Sequence, residues 1–272
     1  MTQTLYIIGT GPGDPEFLTL KAVRILNQCP LIAAPKANPD GDSTALAIIA
    51  GAVDLTGKEI HELYFPMKKV RLAAKADQEL EDAWEAAART ILGLLATGRD
   101  VAFPTLGDPA IYSTGYYLYD MLLSLQPDVQ VRFIPGIAAM SSCSAATARP
   151  LCLGDDRLAV IPATFSEAQI RQALHDYDTI VLMKVHRVME RICRLLAESG
   201  LQANAVYVER AGMAEERIIE GLFTVPANPH YFSTIIVRKN GNGPSLSTIL
   251  PVGTELGSLR TDASRPGQSV FI

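Results

Sequence analysis

Cysteine is scarce. The chain carries four in 272 residues, Cys29, Cys143, Cys152 and Cys193, with no C-x-x-C pair and no zinc spacing. That excludes a disulfide framework, and the thiols read as buried or free in a reducing compartment. Tryptophan occurs once, as Trp84 in an Ala-rich stretch, where packing is its expected role. No apolar run approaches the roughly 20 residues that span a bilayer. The LYII run near the start reads as a strand rather than a secretory segment, so the expected location is cytoplasmic, with no membrane partner. Basic excess is missing too: 24 Lys+Arg stand against 29 Asp+Glu, a net charge of −5. Nucleic acid needs clustered cations on its phosphates and is a poor partner for such a chain. His61, His175, His186 and His230 are scattered, none at metal-ligand spacing from another. No protein-bound metal is expected, and no Ser-His-Asp or Cys-His order stands out.

What is present is apolar and ordered by period. Hydrophobic residues make up 48% of the chain, enough for a sizeable core. Short β-rich runs alternate with helical patterns, which predicts an α/β fold with a largely parallel sheet in the first half. A domain is expected over 1–147, a linker over 148–156 (within ARPLCLGDD), a second α/β domain over 157–239, and a loosely ordered tail over 240–272. The strand runs include LYII, DVAFPTL and VQVRFI in the first half, and TIVLMKV, NAVYVER and YFSTIIVRK in the second. In open α/β sheets, ligands sit outside the carboxyl ends of strands. Three loops fall at such ends: Gly9–Asp14, Gly107–Tyr112 and Pro135–Ala139.

Each loop has a bland and a functional reading. In GTGPGDP the spacing is G-x-G-x-G, not the dinucleotide G-x-G-x-x-G. Pro12 and Pro15 remove amide donors, and no Lys-Ser/Thr follows to grip phosphate. It is either a tight strand-to-helix turn or a place where a flat ligand approaches bare backbone. In LGDPAIYST, Gly107 permits close approach. Asp108 either accepts hydrogen bonds from ribose hydroxyls or a cationic amine, or caps the following helix. The small-residue run after Pro135-Gly136 lets a helix pack closely, against a ligand or a neighbouring strand.

Taken in order, GTGPGDPEFLTLKA, TLGDPAIYST, IPGIAAMSSCSA, VLMKV and VYVERAG resemble the tetrapyrrole methylase family over about residues 4–239. Within that family, YFPMKK at 64–69, GDPAIYST and YFSTIIVRK at 231–239 resemble the C20-methyltransferases of cobalamin synthesis that act on precorrin-2 or cobalt-factor II. The resemblance implies two α/β domains with an active cleft between them and a homodimer. It also implies S-adenosylmethionine as methyl donor, with S-adenosylhomocysteine as product, and a tetrapyrrole as the small-molecule substrate. Carried over by position, it implies cofactor contacts from Pro12, Leu106, Gly107, Asp108, Ile111, Ala138 and Ala139. Met183, Ala211 and Thr234 would form a wall from the second half. Two departures stand out: Arg210-Ala211-Gly212 occupies a place where some members carry Gly-Thr, and the tail has no counterpart.

Tyr112, Ser113 and Thr114, on the loop beside the implied cofactor, are the catalytic candidates. A polycarboxylate substrate needs cations at its rim. Lys36, Lys68, Lys69, Lys184 and Arg210 lie near expected loops or strand ends, with Lys68, Lys184 and above all Arg210 the substrate-binding candidates. The rival readings are a methyltransferase of the same fold acting on another corrin carbon or on diphthine, and a non-catalytic nucleotide-binding module.

Overall fold

The computed structural model describes residues 3–66 and 77–240. Lys68, Lys69 and the expected tail from 241 onward lie outside the described residues. The first half forms one five-stranded sheet from β1 (Thr4–Gly9), β2 (Leu31–Lys36), β3 (Glu59–Tyr64), β4 (Val101–Thr105) and β5 (Gln130–Ile134). Their order is β3-β2-β4-β1-β5, and every pairing is parallel. Strands buried on both faces read as near-continuous apolar runs, and all five residues of β4 are buried. Its Pro104 is tolerated because the β2 ladder ends at Ala102, before an amide would be missed.

Alternate residues feed opposite faces. Ile8, Ile32, Ala34 and Ile134 pack under α1 (Leu20–Gln28) and α2 (Thr44–Ala50), whose N-caps are Thr19 and Ser43. Leu5, Ile7, Ala33 and Phe103 pack under α3 (Gln78–Ala96) and α4 (Gly115–Leu125). Trp84 of α3 stacks on Tyr117 of α4, with ring centroids 4.9 Å apart.

α5 (Ala139–Thr147) follows the first sheet in sequence but packs on the second. Its Cys143 sits among Val181, Val206, Val208, Ala211 and Ile236. That second sheet contains β6 (Leu158–Pro162), β7 (Thr179–Met183), β8 (Ala205–Glu209), β9 (Arg217–Glu220) and β10 (Ser233–Arg238). The order is β6-β7-β10-β8-β9, with β10 antiparallel to both neighbours. α6 (Glu167–Asp176) and α7 (Met189–Glu198) cover its other face. A capping box at Ser166 and Gln169 starts α6, and Gly200, at φ 67°, follows α7.

Two arginines pin the connecting segment. Buried Arg149 donates to Asn204 O (3.1 Å) and pairs with Glu220. Arg238 on β10 pairs with Asp156 at 2.7 Å and donates to Thr179 Oγ1 at 3.1 Å. Among the described residues, no helix is long and apolar enough to cross a membrane.

Candidate active site

In the first sheet β1 lies between β4 and β5, so the loops that follow these three strands emerge side by side. They touch backbone to backbone. Gly11 N donates to Gly107 O (3.2 Å), and Gly107 N returns a bond to Gly11 O (2.8 Å). A Cβ on Gly136 would stand 2.5 Å from Gly107 O and 2.8 Å from Gly9 Cα, so glycine is what lets the third loop reach the other two. Thr10, fully buried, adds an amide bond to Thr105 O (2.9 Å). Asp108 staples the second loop to the third: Oδ1 accepts from Ala110 N (2.8 Å) and Oδ2 from Gly136 N (2.9 Å). Asp108 therefore caps a turn and a neighbouring loop, and α4 begins only at Gly115.

The second half brings its own residues toward these loops. Register pairs Thr234 of β10 with Met183 of β7, and both share the sheet face that α5 covers, by parity with Ile236 and Val181. Cys143 of α5 hydrogen-bonds Thr234, and burial pushes its thiol up to about 12. Ala138 and Ala139 open α5, whose first turn has no side-chain cap. Ala211, after β8, is buried in the same cluster as Cys143. The halves also meet directly. A Cβ on Gly13 would strike the Met213 side chain at 2.4 Å, and one on Gly212 would strike the Phe17 ring at 2.7 Å. Tyr112 Oη donates to Val160 O (2.8 Å), from the first half's second loop to β6.

Polar groups at this end of the second sheet are unevenly satisfied. Burial opposes a charge on Glu209, yet bonds from the Tyr207 hydroxyl, His230 N and Arg217 hold its carboxyl below the usual range. Burial, and then the bond to Glu209, push the Tyr207 hydroxyl up to about 12. Arg210, in the left-handed region at φ 54°, pairs with Glu215. Lys184, at φ 59°, lies with Nζ 5.8 Å from the Tyr112 ring centroid, and burial lowers its pKa.

The profile of the Tetrapyrrole (Corrin/Porphyrin) Methylases matches residues 4–225, which include all three loops and β6 to β9. The chain belongs to this family. Among tetrapyrrole methylases it is 37% identical to a precorrin-2 C(20)-methyltransferase of Sinorhizobium sp., over 85% of this chain and 93% of that one. It is 35% identical to the cobalt-precorrin-2 C(20)-methyltransferase of Salmonella typhimurium, over 88% and 98% of the two chains. In three dimensions it resembles a uroporphyrin-III C-methyltransferase from Thermus thermophilus solved with S-adenosylhomocysteine. The TM-score is 0.60, with 21% identity over 87% of this chain and 97% of that one, a likeness of fold alone.

For a tetrapyrrole methylase, the sequence-derived residues fall in two sets. Pro12, Leu106, Gly107, Asp108, Ile111 and Ala138–Ala139 lie on or beside the three touching loops. Met183, Ala211 and Thr234 gather on the α5 side of the second sheet. Ser113 Oγ is 2.9 Å from Thr105 Oγ1 and also accepts from Gly115 N, and Thr114 is the N-cap of α4 without a side-chain cap bond. Thr10, Met213, Phe17 and Cys143 escaped the sequence reading, because apolar and small residues at these positions look like any core. Arg187 stands three residues past Lys184 on the loop after β7, a cation close behind a largely apolar strand.

Proposed function

We propose that this protein transfers a methyl group from S-adenosylmethionine to C20 of a tetrapyrrole precursor of cobalamin, precorrin-2 or cobalt-factor II. Two C20-methyltransferases that match it almost end to end support the acceptor. The observation that carries the reading is the backbone contact of three glycine-bearing strand-end loops, which the second half reaches through Met213, Gly212 and Val160. The residues there suit a cationic, flat-ended donor. The Cα of Gly107, at φ 72°, faces open space. The three loops carry no Lys or Arg, and Asp108 brings a carboxylate. A carboxylate has about four acceptor sites and Asp108 uses two, so two remain for donors on a ligand.

When bound, S-adenosylmethionine supplies an electrophilic methyl on a sulfonium; the chain supplies position and environment. Pro12, Leu106, Gly107, Asp108, Ile111, Ala138 and Ala139 would hold the donor from one side, and Met183, Ala211 and Thr234 from the other. Alignment of acceptor carbon and methyl is the chief contribution asked of these residues, with up to about 7–11 kcal/mol available from such positioning. Tyr112, Ser113 and Thr114 stand at the edge where the acceptor would enter. Lys184 supplies positive charge for its carboxylates. On this reading residues 1–147 and 157–239 act as two domains joined through 148–156. The enzyme works in the cytoplasm as a homodimer, a state that sedimentation checks.

The test is incubation with S-adenosylmethionine and either precorrin-2 or cobalt-factor II. Mass spectrometry should show one added methyl, and NMR should locate it at C20. No added methyl on either ring would sink the assignment. S-adenosylhomocysteine should raise the melting temperature, by a shift worth about 2.7 kcal/mol at a hundredfold excess over Kd, where ATP and NAD do not.

A further inference from the structure

Arg210, the first choice of the sequence for gripping acidic side chains, has its charge matched by Glu215. Two other cations at this end of the second sheet have no such match. Lys184 is half-buried against the Tyr112 ring, and among the described residues neither a carboxylate nor a hydrogen-bond acceptor meets its Nζ. Taking an ammonium out of water without an anion costs free energy that a π face returns only in part. Arg187, exposed, has no ion pair among the described residues either. The acids of the adjoining strand and loop are committed. Glu209 receives Tyr207, Arg217 and His230 N, Glu215 pairs with Arg210, and Glu216 accepts from Gly212 N.

The loop carrying both cations is anchored at Val185. Val185 is fully buried, and Val188 N donates to Val185 O (2.9 Å), closing a turn with Arg187 near its tip. His186, in the same turn, packs edge-on to Tyr231 at 5.1 Å. Lysine at φ 59° is also a costly choice, since glycine would hold that conformation without strain.

We propose that Lys184 and Arg187 form a two-point carboxylate clamp for the tetrapyrrole. It deepens the function proposed above and rests on the substrate being a polycarboxylate macrocycle. Lys184 is a half-buried point charge beside the second loop. Arg187 is an exposed planar fork three residues on, suited to a second carboxylate of the same ring.

The clamp is tested in the full chain with Lys184→Met, Arg187→Met, the double variant, and Lys184→Gly. Three quantities are read: KM and kcat for the tetrapyrrole, S-adenosylhomocysteine Kd by calorimetry, and binding of uroporphyrin, a stable octacarboxylate macrocycle, by absorbance. Each single change should raise the tetrapyrrole KM roughly tenfold or more, as loss of a charge-assisted bond does. S-adenosylhomocysteine affinity should hold. Lys184→Gly should melt above wild type and still show the loss, which keeps the test valid if Lys184→Met folds poorly. A double variant that binds uroporphyrin and turns over like wild type overturns the clamp, as does a parallel fall in S-adenosylhomocysteine affinity. If wild type binds uroporphyrin, the double variant does not, and neither tetrapyrrole is methylated, the clamp stands and the activity reading falls. Wild type that neither methylates nor binds uroporphyrin overturns both.

Discussion

Asp108 spends both carboxylate oxygens on backbone amides, one in its own turn and one across to Gly136. Asp108→Ala should therefore do two things at once. It should cost about 2 kcal/mol in chemical denaturation, as bonds to a charged acceptor do, and it should weaken S-adenosylhomocysteine binding by calorimetry. Loss of stability with unchanged affinity would leave Asp108 a purely architectural residue. His186 and His230 give a second prediction. Burial first, then the positive charge of Arg187 and His230 for one and of Arg210 for the other, depress both below the ordinary 6.5; Glu209 partly offsets this at His230. As pH falls below 6.5 the unfolded chain binds protons that the folded chain declines, so stability drops, and the drop levels off below the folded values. Replacing either with Gln should flatten the fall of the denaturation midpoint below pH 6.5, relative to wild type. At this scale the sequence was legible where glycine and proline punctuated it. Gly9, Gly107 and Gly136 sat at strand ends in plain view. The backbone atoms of other loops that crowd Gly9 and Gly136, and the left-handed φ of 72° at Gly107, leave no trace in residue type.

The elements were legible by period and the pairings only partly so. DVAFPTL, VQVRFI and TIVLMKV read as strands and are strands, β4, β5 and β7. The antiparallel course of β10 was hidden, because alternation along STIIVR is the same in either direction. The allegiance of α5 was hidden too. A run of Ala, Ser and Cys fits against either sheet, and only the position of Cys143 against Val181 and Ile236 decides. The segment between α5 and β6 is held by Arg149 and Arg238, with Leu151 packed on the apolar cluster under α5. Asp156→Ala would leave the 2%-exposed Arg238 side chain without its carboxylate. A loss of about 2–3 kcal/mol is expected, somewhat less than for a fully interior pair. Asp156→Asn, which keeps an acceptor, should recover part of it. A midpoint that does not move in Asp156→Ala would mean that the other partners of Arg238 suffice.

Across the molecule, contacts between the two halves among the described residues include Gly13 against Met213, Gly212 against Phe17, and Tyr112 against Val160. Tyr112→Phe removes only the last hydrogen bond and keeps the ring beneath Lys184. It should cost about 1 kcal/mol of stability and raise the tetrapyrrole KM more than it lowers kcat, which steady-state kinetics separates. A kcat collapse with KM intact would instead make the hydroxyl part of the chemistry. Every one of these contacts is made by a residue on, or next to, a loop that shapes the proposed donor site. Any displacement of one sheet against the other would therefore be felt at the floor on which, in the proposed function, the nucleoside rests.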